Sequence, residues 1–468
     1  PSTVCSLSSC SFYSDPACPE NSHYEFCGSA CPATCENPGA PSKCKASCVE
    51  TCVCNEGFLL SGTKCVPKTQ CGCMYKGRYV EAGATFLSDD HCTEKCKCNP
   101  ANNKVVCTSP GCQNGYECKR VDDLVGCHPK AYANCSVSGD PHYSTFDGYT
   151  YNFQGTCVYQ MAGVCSTDPS LEHFDVLVQN DARGKRVGSR TKLVEVNVYD
   201  TSIVISKNHK GAVLIKGEIT YLPVNLNHGK IRIYQSGDFA EISTDFGLKV
   251  SYDWNSIVFV TVPSRYAGAM CGMCGNYNND RKDDLQMKNG KRASSPGELG
   301  KSWRVAEIPG CVDDCKDKNH CPNCDITEKE KFETNKYCGE IRNPNGPFRR
   351  CHDKIDPQPK FESCVYDACL NNGKKGSWCN IFHAYTIECQ RAGIKVDRWR
   401  RKDFCPASKM EHPKNSHYEP CGSVCHVTCG IGAPPSDCDK PCEEGWLCND
   451  GYLLSGKDSH PFLCGGRE

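Results

Sequence analysis

The 468-residue chain has no surplus of charge: 54 Lys and Arg stand against 55 Asp and Glu, a formal balance of −1. That evenness excludes the basic footprint of a nucleic-acid binder and any acidic tail, so no nucleic-acid partner is expected. Long apolar runs are missing as well. The longest, near Ser256 to Val262, falls far short of the roughly 20 residues that cross a bilayer, so no membrane span is expected. Only 38% of the residues are hydrophobic, which points to small modules around one larger core rather than a single large globule. The start, Pro1-Ser-Thr-Val-Cys5, has neither a charged leader nor an apolar signal core, as expected of a mature piece or of a fragment of something longer.

What the chain has in abundance is cysteine, 43 residues clustered in short glycine- and proline-rich stretches. Thiols at that density do not stay reduced, so most must be paired in an oxidising compartment. A secreted, extracellular, disulfide-built protein is expected. The total is odd, so one cysteine is left over by truncation or pairs between chains in a disulfide-linked oligomer.

One module occurs twice. Asn21-Ser-His-Tyr-Glu-Phe-Cys27-Gly-Ser-Ala-Cys31 returns as Asn415-Ser-His-Tyr-Glu-Pro-Cys421-Gly-Ser-Val-Cys425, and Gly57-Phe-Leu-Leu-Ser-Gly62 returns as Gly451-Tyr-Leu-Leu-Ser-Gly456. The copies are too far apart for a solenoid period of roughly 20–50 residues, so a multidomain unit is what repeats. The first copy is too small to hold itself with a hydrophobic core and must be stapled. In the second copy His412 and Trp446 stand where Cys18 and Cys52 would be, and the chain stops before a counterpart of Cys71, which leaves Cys429 without its expected partner.

From Gly72 to Cys127 a further cysteine-rich stretch reads as a small β-hairpin module. Between Cys165 and Cys271 cysteines vanish. Alternating apolar runs replace them: Phe174 to Val178, Leu193 to Tyr199, Ile203 to Ile205, Ala212 to Ile215, Ile231 to Tyr234, Leu248 to Tyr252 and Ile257 to Val262. Period-two alternation broken by Asn, Gly and Asp predicts antiparallel strands in a β-sandwich or barrel with a true hydrophobic core. Phe361 to Ala392 carries apolar residues at helical spacing around Asn372-Gly373, predicting a small helical, disulfide-stapled domain. The fold class is therefore mainly β and multidomain.

Three stretches, Cys135-Ser-Val-Ser-Gly-Asp140-Pro-His-Tyr-Ser-Thr-Phe-Asp147-Gly, Cys271-Gly-Met-Cys274-Gly-Asn276-Tyr-Asn and Cys364-Val-Tyr-Asp-Ala-Cys369, resemble the von Willebrand factor type D domain and its eight-cysteine companion. The repeated module resembles the trypsin-inhibitor-like domain. The Gly-Asp-Pro-His and Asn-Ser-His-Tyr-Glu sequences make the chain most similar to the group of the Fc-gamma-binding mucus protein, zonadhesin and the tectorins. The organisation this implies is a tail of a preceding assembly (1–16), a trypsin-inhibitor-like domain (17–72), a small cysteine-rich β module (73–128), the type D domain (129–315), the eight-cysteine domain (316–405) and a truncated second trypsin-inhibitor-like domain (406–468). The resemblance implies the bridges Cys18–Cys52, Cys27–Cys48, Cys31–Cys44, Cys35–Cys71 and Cys54–Cys65. The joint loss of the counterparts of Cys18 and Cys52 in the second copy supports the first of them.

It also implies a structural Ca²⁺ site. Asn276, Asn278, Asp280, Asp283 and Asp284 place oxygen ligands close together, and Asp147 joins them from Phe-Asp-Gly; a hard cation takes six to eight such oxygens. The Asp140–Pro141 bond is chemically weak because the aspartate carboxyl can attack its own carbonyl and expel a prolyl nitrogen. In the resembled family this sequence self-cleaves, with His142 placed to shuttle a proton. Cys271-Gly-Met-Cys274 has redox spacing and Cys321-Pro-Asn-Cys324 has zinc spacing, but structural pairing is the expectation for both. Histidines such as His173 and His383 are scattered singly, and no catalytic constellation for turnover emerges, so no enzyme is expected. The sequon Asn134-Cys-Ser is a glycosylation candidate encumbered by its cysteine.

The expected function is that of a structural and adhesive module of a secreted mucus, matrix or gamete-coat glycoprotein. Its partners would be other extracellular glycoproteins or mucins, with immunoglobulin Fc and egg coat as ligand types. The alternative is a serine protease inhibitor acting through Lys45 and Ala46, in the loop between Cys44 and Cys48.

Overall fold

A computed structural model describes residues 18–112, 116–121, 124–182, 188–313, 324–409, 414–425, 440–455 and 458–461. They belong to two compact units, Pro1–Lys130 and Ala131–Glu468.

The first unit is disulfide-framed. Strands Ser22–Gly28 and Val49–Cys54 pair antiparallel, as do Phe58–Ser61 and Lys64–Pro67. The bridges are Cys18–Cys52, Cys27–Cys48, Cys31–Cys44, Cys35–Cys71 and Cys54–Cys65. Within residues 18–71 Leu59 and Cys65 are the buried apolar residues, so covalent closure rather than burial holds this segment. Residues 73–129 form two hairpins and a three-stranded sheet, joined by Cys73–Cys98, Cys92–Cys118, Cys96–Cys107 and Cys112–Cys127.

In the second unit two antiparallel eight-stranded sheets share one core. One sheet runs, in spatial order, Thr150–Asn152, His142–Ser144, Tyr132–Ser138, Val258–Pro263, Lys249–Tyr252, Phe239–Thr244, Ile231–Ser236 and Val224–Leu226. The other is built around Val158–Val164, Phe174–Ala182, Ser189–Val198 and Thr201–Ser206. The alternation in Phe174–Ala182 shows why: Phe174, Val176 and Val178 point into the core while Asp175 faces solvent. Each such side chain contributes on the order of 1.5–3 kcal/mol on burial. Cys135–Cys274, Cys157–Cys311 and Cys165–Cys271 tie the sandwich across long loops.

Four α-helices follow among the described residues: α1 (Pro296–Trp303), α2 (Ile326–Phe332), α3 (Gln358–Leu370) and α4 (Lys375–Arg391). Asn372 and Gly373 take left-handed φ values of 50° and 70°, and the Gly373 N–H bonds the Ala368 carbonyl at 2.7 Å, which ends α3 and lets α4 fold back. A core of Phe348, Trp378, Phe382 and Tyr385 joins the helices. Ala384 and Ile387 of α4 pack on Phe239 and Phe259 of the first sheet and on Ile257 just before the strand Val258–Pro263. The helical domain is thereby seated on the sandwich, which positions the site described next.

Candidate functional site

Gly139, Asp140 and Pro141 form the turn between strands Tyr132–Ser138 and His142–Ser144. The turn is buried, and Asp140 is 0% exposed. Gly139 is required here: its φ is +67°, and a Cβ would lie 2.5 Å from Ile381 Cδ1 and 2.6 Å from Asp367 Oδ2. Asn371 Nδ2 donates to Asp140 Oδ2 at 2.9 Å, and Gln154 Nε2 donates to the Asp140 carbonyl oxygen at 3.3 Å. The Gln154 amide is oriented by the Ser189 N–H, which bonds its Oε1 at 2.9 Å. The His142 ring lies between Asn152 Oδ1, 2.7 Å from Nδ1, and Asp367 Oδ1, 2.7 Å from Nε2. Burial works against a charged imidazole, but the Asp367 charge and the hydrogen bonds from both sides outweigh it and raise the pKa of His142.

The acidic loop closes on the start of the sandwich. Asp147 accepts from the backbone N–H groups of Asn278 at 3.0 Å and Asn279 at 2.8 Å. Asp283 Oδ2 accepts from the amides of Asn276 and Asn278 at 3.1 and 2.8 Å. Thr145 Oγ1 donates to Asp284 Oδ2 at 2.6 Å. Asp280 stands exposed at the rim, bonded to Asn278 Oδ1 and the Lys282 N–H. The other oxygens of Asp283 and Asp284 are buried without a hydrogen-bond partner. Burial, with the charges of Asp147 and Asp283 alongside, pushes the Asp284 carboxyl up to about 6. A Cβ on Gly275 would lie 2.0 Å from Asp284 Oδ1, so glycine makes room for that carboxylate. Orphaned carboxylate oxygens, an electrostatically strained acid and an all-oxygen donor set suit a hard cation.

Comparison with known families assigns most of this architecture. The von Willebrand factor type D domain model matches residues 135–291, the C8 domain model 337–406, the trypsin-inhibitor-like cysteine-rich domain model 18–71 and 413–461, and the TILa domain model 72–128. The chain carries a von Willebrand factor type D domain together with C8, trypsin-inhibitor-like and TILa domains. It is 40% identical to human IgGFc-binding protein, 38% to mouse alpha-tectorin and 38% to pig zonadhesin, each over 96% of its length. It spans 8%, 21% and 18% of those relatives. The assembly is disulfide-built and extracellular, and none of its matched domain types is catalytic.

The remaining sequence-selected residues of the type D assembly fall into place individually. Cys271 and Cys274 bond Cys165 and Cys135 rather than each other, so they form no redox pair. Cys324 bonds Cys369, which removes it as a zinc ligand; Cys321 lies outside the described residues. Lys45 and Ala46 are exposed between the bridged Cys44 and Cys48. His173 is exposed, whereas His383 is buried and bonds Glu444 Oε2 at 2.8 Å. Asn134 Oδ1 accepts from Thr261 Oγ1 while Cys135 is bridged. His412 and Cys429 lie outside the described residues. The free thiol among the described residues is Cys448. Sequence reasoning missed Thr145, Gln154, Asn152, Asp367 and Asn371; all but Asp367 lie outside the quoted motifs or carried no pattern there, and Asp367 appeared only as a letter between two cysteines.

Proposed function

We propose that this assembly is a structural and adhesive module of a secreted mucus, matrix or gamete-coat glycoprotein, braced by Ca²⁺ and self-cleaving at Asp140–Pro141. In the cleavage step an Asp140 carboxylate oxygen forms a bond to its own carbonyl carbon while the C–N bond to Pro141 breaks. The electron pair goes to the prolyl nitrogen, which takes a proton from the His142 imidazolium. Gln154 Nε2 faces the carbonyl oxygen on which negative charge develops. Water opens the resulting cyclic anhydride to one carboxyl and one carboxylate group, and the remaining proton returns to His142. The cavity of about 290 Å³ that His142 and Asn152 line offers water a place beside the turn.

The observation that carries this reading is the bridge Cys135–Cys274. Among the bridges of the described residues it alone joins the two sides of the bond. Strand Tyr132–Ser138 also stays paired with Val258–Pro263, so cleavage leaves the sandwich standing. Two bands on a reducing gel that merge into one without reductant are expected. A single band under both conditions overturns self-cleavage.

Asp147, Asn276, Asn278, Asp283 and Asp284 would hold the cation, with Asp280 at the rim; its role is to neutralise the loop and tie it to the first strands. EDTA is expected to lower the melting temperature by several degrees, with millimolar Ca²⁺ restoring it. An unchanged melt overturns the metal site. The partners we propose are other extracellular glycoproteins or mucins, with immunoglobulin Fc among them because one relative is named for binding it.

A further inference from the structure

Resting on the self-cleavage reading, we propose that Asp367 and Asn371, both supplied by the C8 domain, are positioning residues for cleavage of the Asp140–Pro141 bond, so that the bond breaks only when that domain is seated against the turn.

The type D domain itself supplies Gln154 at the carbonyl oxygen and Asn152 at the imidazole. The groups that fix the nucleophile come from the end of α3. Asn371 Nδ2 holds Asp140 Oδ2 at 2.9 Å, and the same nitrogen donates to the Asp367 carbonyl at 2.9 Å, which sets the amide's orientation. Asp367 Oδ2 accepts from the Asp140 N–H at 3.4 Å, while its Oδ1 meets His142 Nε2 at 2.7 Å. One carboxylate therefore grips both the residue that attacks and the residue that carries the proton. A side chain free to rotate rarely meets its own carbonyl; holding it there turns a slow solution reaction into a fast one.

Asp367 is 0% exposed and sits beside a second buried acid, Asp140, an arrangement costly for stability alone. The approach is close enough to exclude any side chain at position 139. The other charged groups facing His142 are Asp140 in its own turn and, across the cavity it lines, Arg281, Asp356, Lys360, Glu362 and Glu388. Asp367 Oδ1 bonds the ring directly at 2.7 Å, and its charge is the largest one favouring the protonated imidazole.

The test follows pulse-labelled full chain, collected on secretion and incubated from pH 5 to 8, on reducing gels. Asp367→Asn is expected to slow cleavage by on the order of 10²-fold, within the range of acid–base assistance. It is also expected to move the alkaline limb of the rate profile to lower pH by about one unit, because an amide no longer favours the charged ring. Asp367→Glu is expected to recover part of the rate and the original profile. Asn371→Ser is expected to slow cleavage about tenfold with the profile unchanged, as loss of one charge-assisted hydrogen bond would. Melting curves report folding, and if Asp367→Asn is not secreted, Asp367→Glu and Asn371→Ser decide. Wild-type cleavage with the variants at the wild-type rate and profile overturns this proposal alone. A wild-type chain that stays intact at every pH overturns the self-cleavage reading, and this proposal with it.

Discussion

The Asn-Ser-His-Tyr-Glu sequence folds into the same ribbon twice, yet the two copies are held by different physics. Tyr24 pairs with Cys52 and Gly28 with Val49 in the first; Tyr418 pairs with Trp446 and Gly422 with Glu443 in the second, with a register shift at the same place. His23 bonds Asn55 and His417 bonds Asn449 at 2.8 and 2.9 Å. In the first copy Phe26 is 80% exposed, Glu50 is exposed and meets the Tyr24 hydroxyl, and Cys18–Cys52 locks the pair. In the second that bridge's place is taken by Trp446, stacked edge-on to Tyr418 with ring centroids 6.0 Å apart. Glu444, at the register position of Glu50, is buried against α4. It meets Arg400 Nε at 2.6 Å and His383 Nδ1 at 2.8 Å, while its N–H donates to Gln390 Oε1 at 2.7 Å. The second copy keeps Cys421–Cys442 as the counterpart of Cys27–Cys48, but where it leans on a neighbouring domain, packing and a buried ion cluster take the place of the Cys18–Cys52 closure.

The largest expected effect comes from making the same change in both copies. Glu444→Ala is expected to cost roughly 3–5 kcal/mol, since it strands Arg400 and His383 in the interior without their counter-charge. Glu50→Ala is expected to be close to neutral, because its site is solvated. Acid sharpens the contrast. Burial pushes the Glu444 carboxyl up, but Arg400 and His383 more than offset it and hold the pKa at about 2, below the ordinary 4.5. A folded pKa below the unfolded one means that this contribution is complete above about pH 4.5 and drains away as pH falls toward 2. Thermal melts from pH 6 to 2 should show the loss in wild type and not in Glu444→Ala. Equal responses to the two substitutions would break the comparison.

The same contrast explains what was readable in advance. The strands of the sandwich announce themselves because a half-buried sheet imposes alternation, as in Phe174–Ala182. Phe239–Thr244 escaped because Glu241 interrupts its apolar pattern; that acid is buried yet paired with Lys440 at 3.2 Å and bonded by Tyr234. The first module's five bridges came from family resemblance, and the structure forms the same five. Asp140, Pro141 and His142 were visible as contiguous residues. Asp367 and Asn371 were not, because more than 200 residues separate them from the turn and nothing local marks a residue that acts across a domain boundary. The leftover cysteine shows a subtler limit. Counting toward the chain's end singled out Cys429, but strand register reveals a second loss: Leu60 faces Cys65, whereas Leu454 faces Ser459.

That substitution sets up the smallest and cleanest test of the comparison. Cys54 is closed with Cys65 over 11 residues, while its counterpart Cys448 is a free thiol whose burial raises its pKa. Cys54→Ser is expected to destabilise the first module by about 2–3 kcal/mol, through the freedom returned to its unfolded chain. Cys448→Ser is expected to leave the second module's melt unchanged, since nothing covalent is lost. Alkylation without reductant should label Cys448 slowly, as a half-buried thiol with little thiolate does. If Cys448→Ser destabilises the second copy as strongly as Cys54→Ser destabilises the first, then Cys448 is bridged after all, and the second module does not stand on its ion cluster and packing.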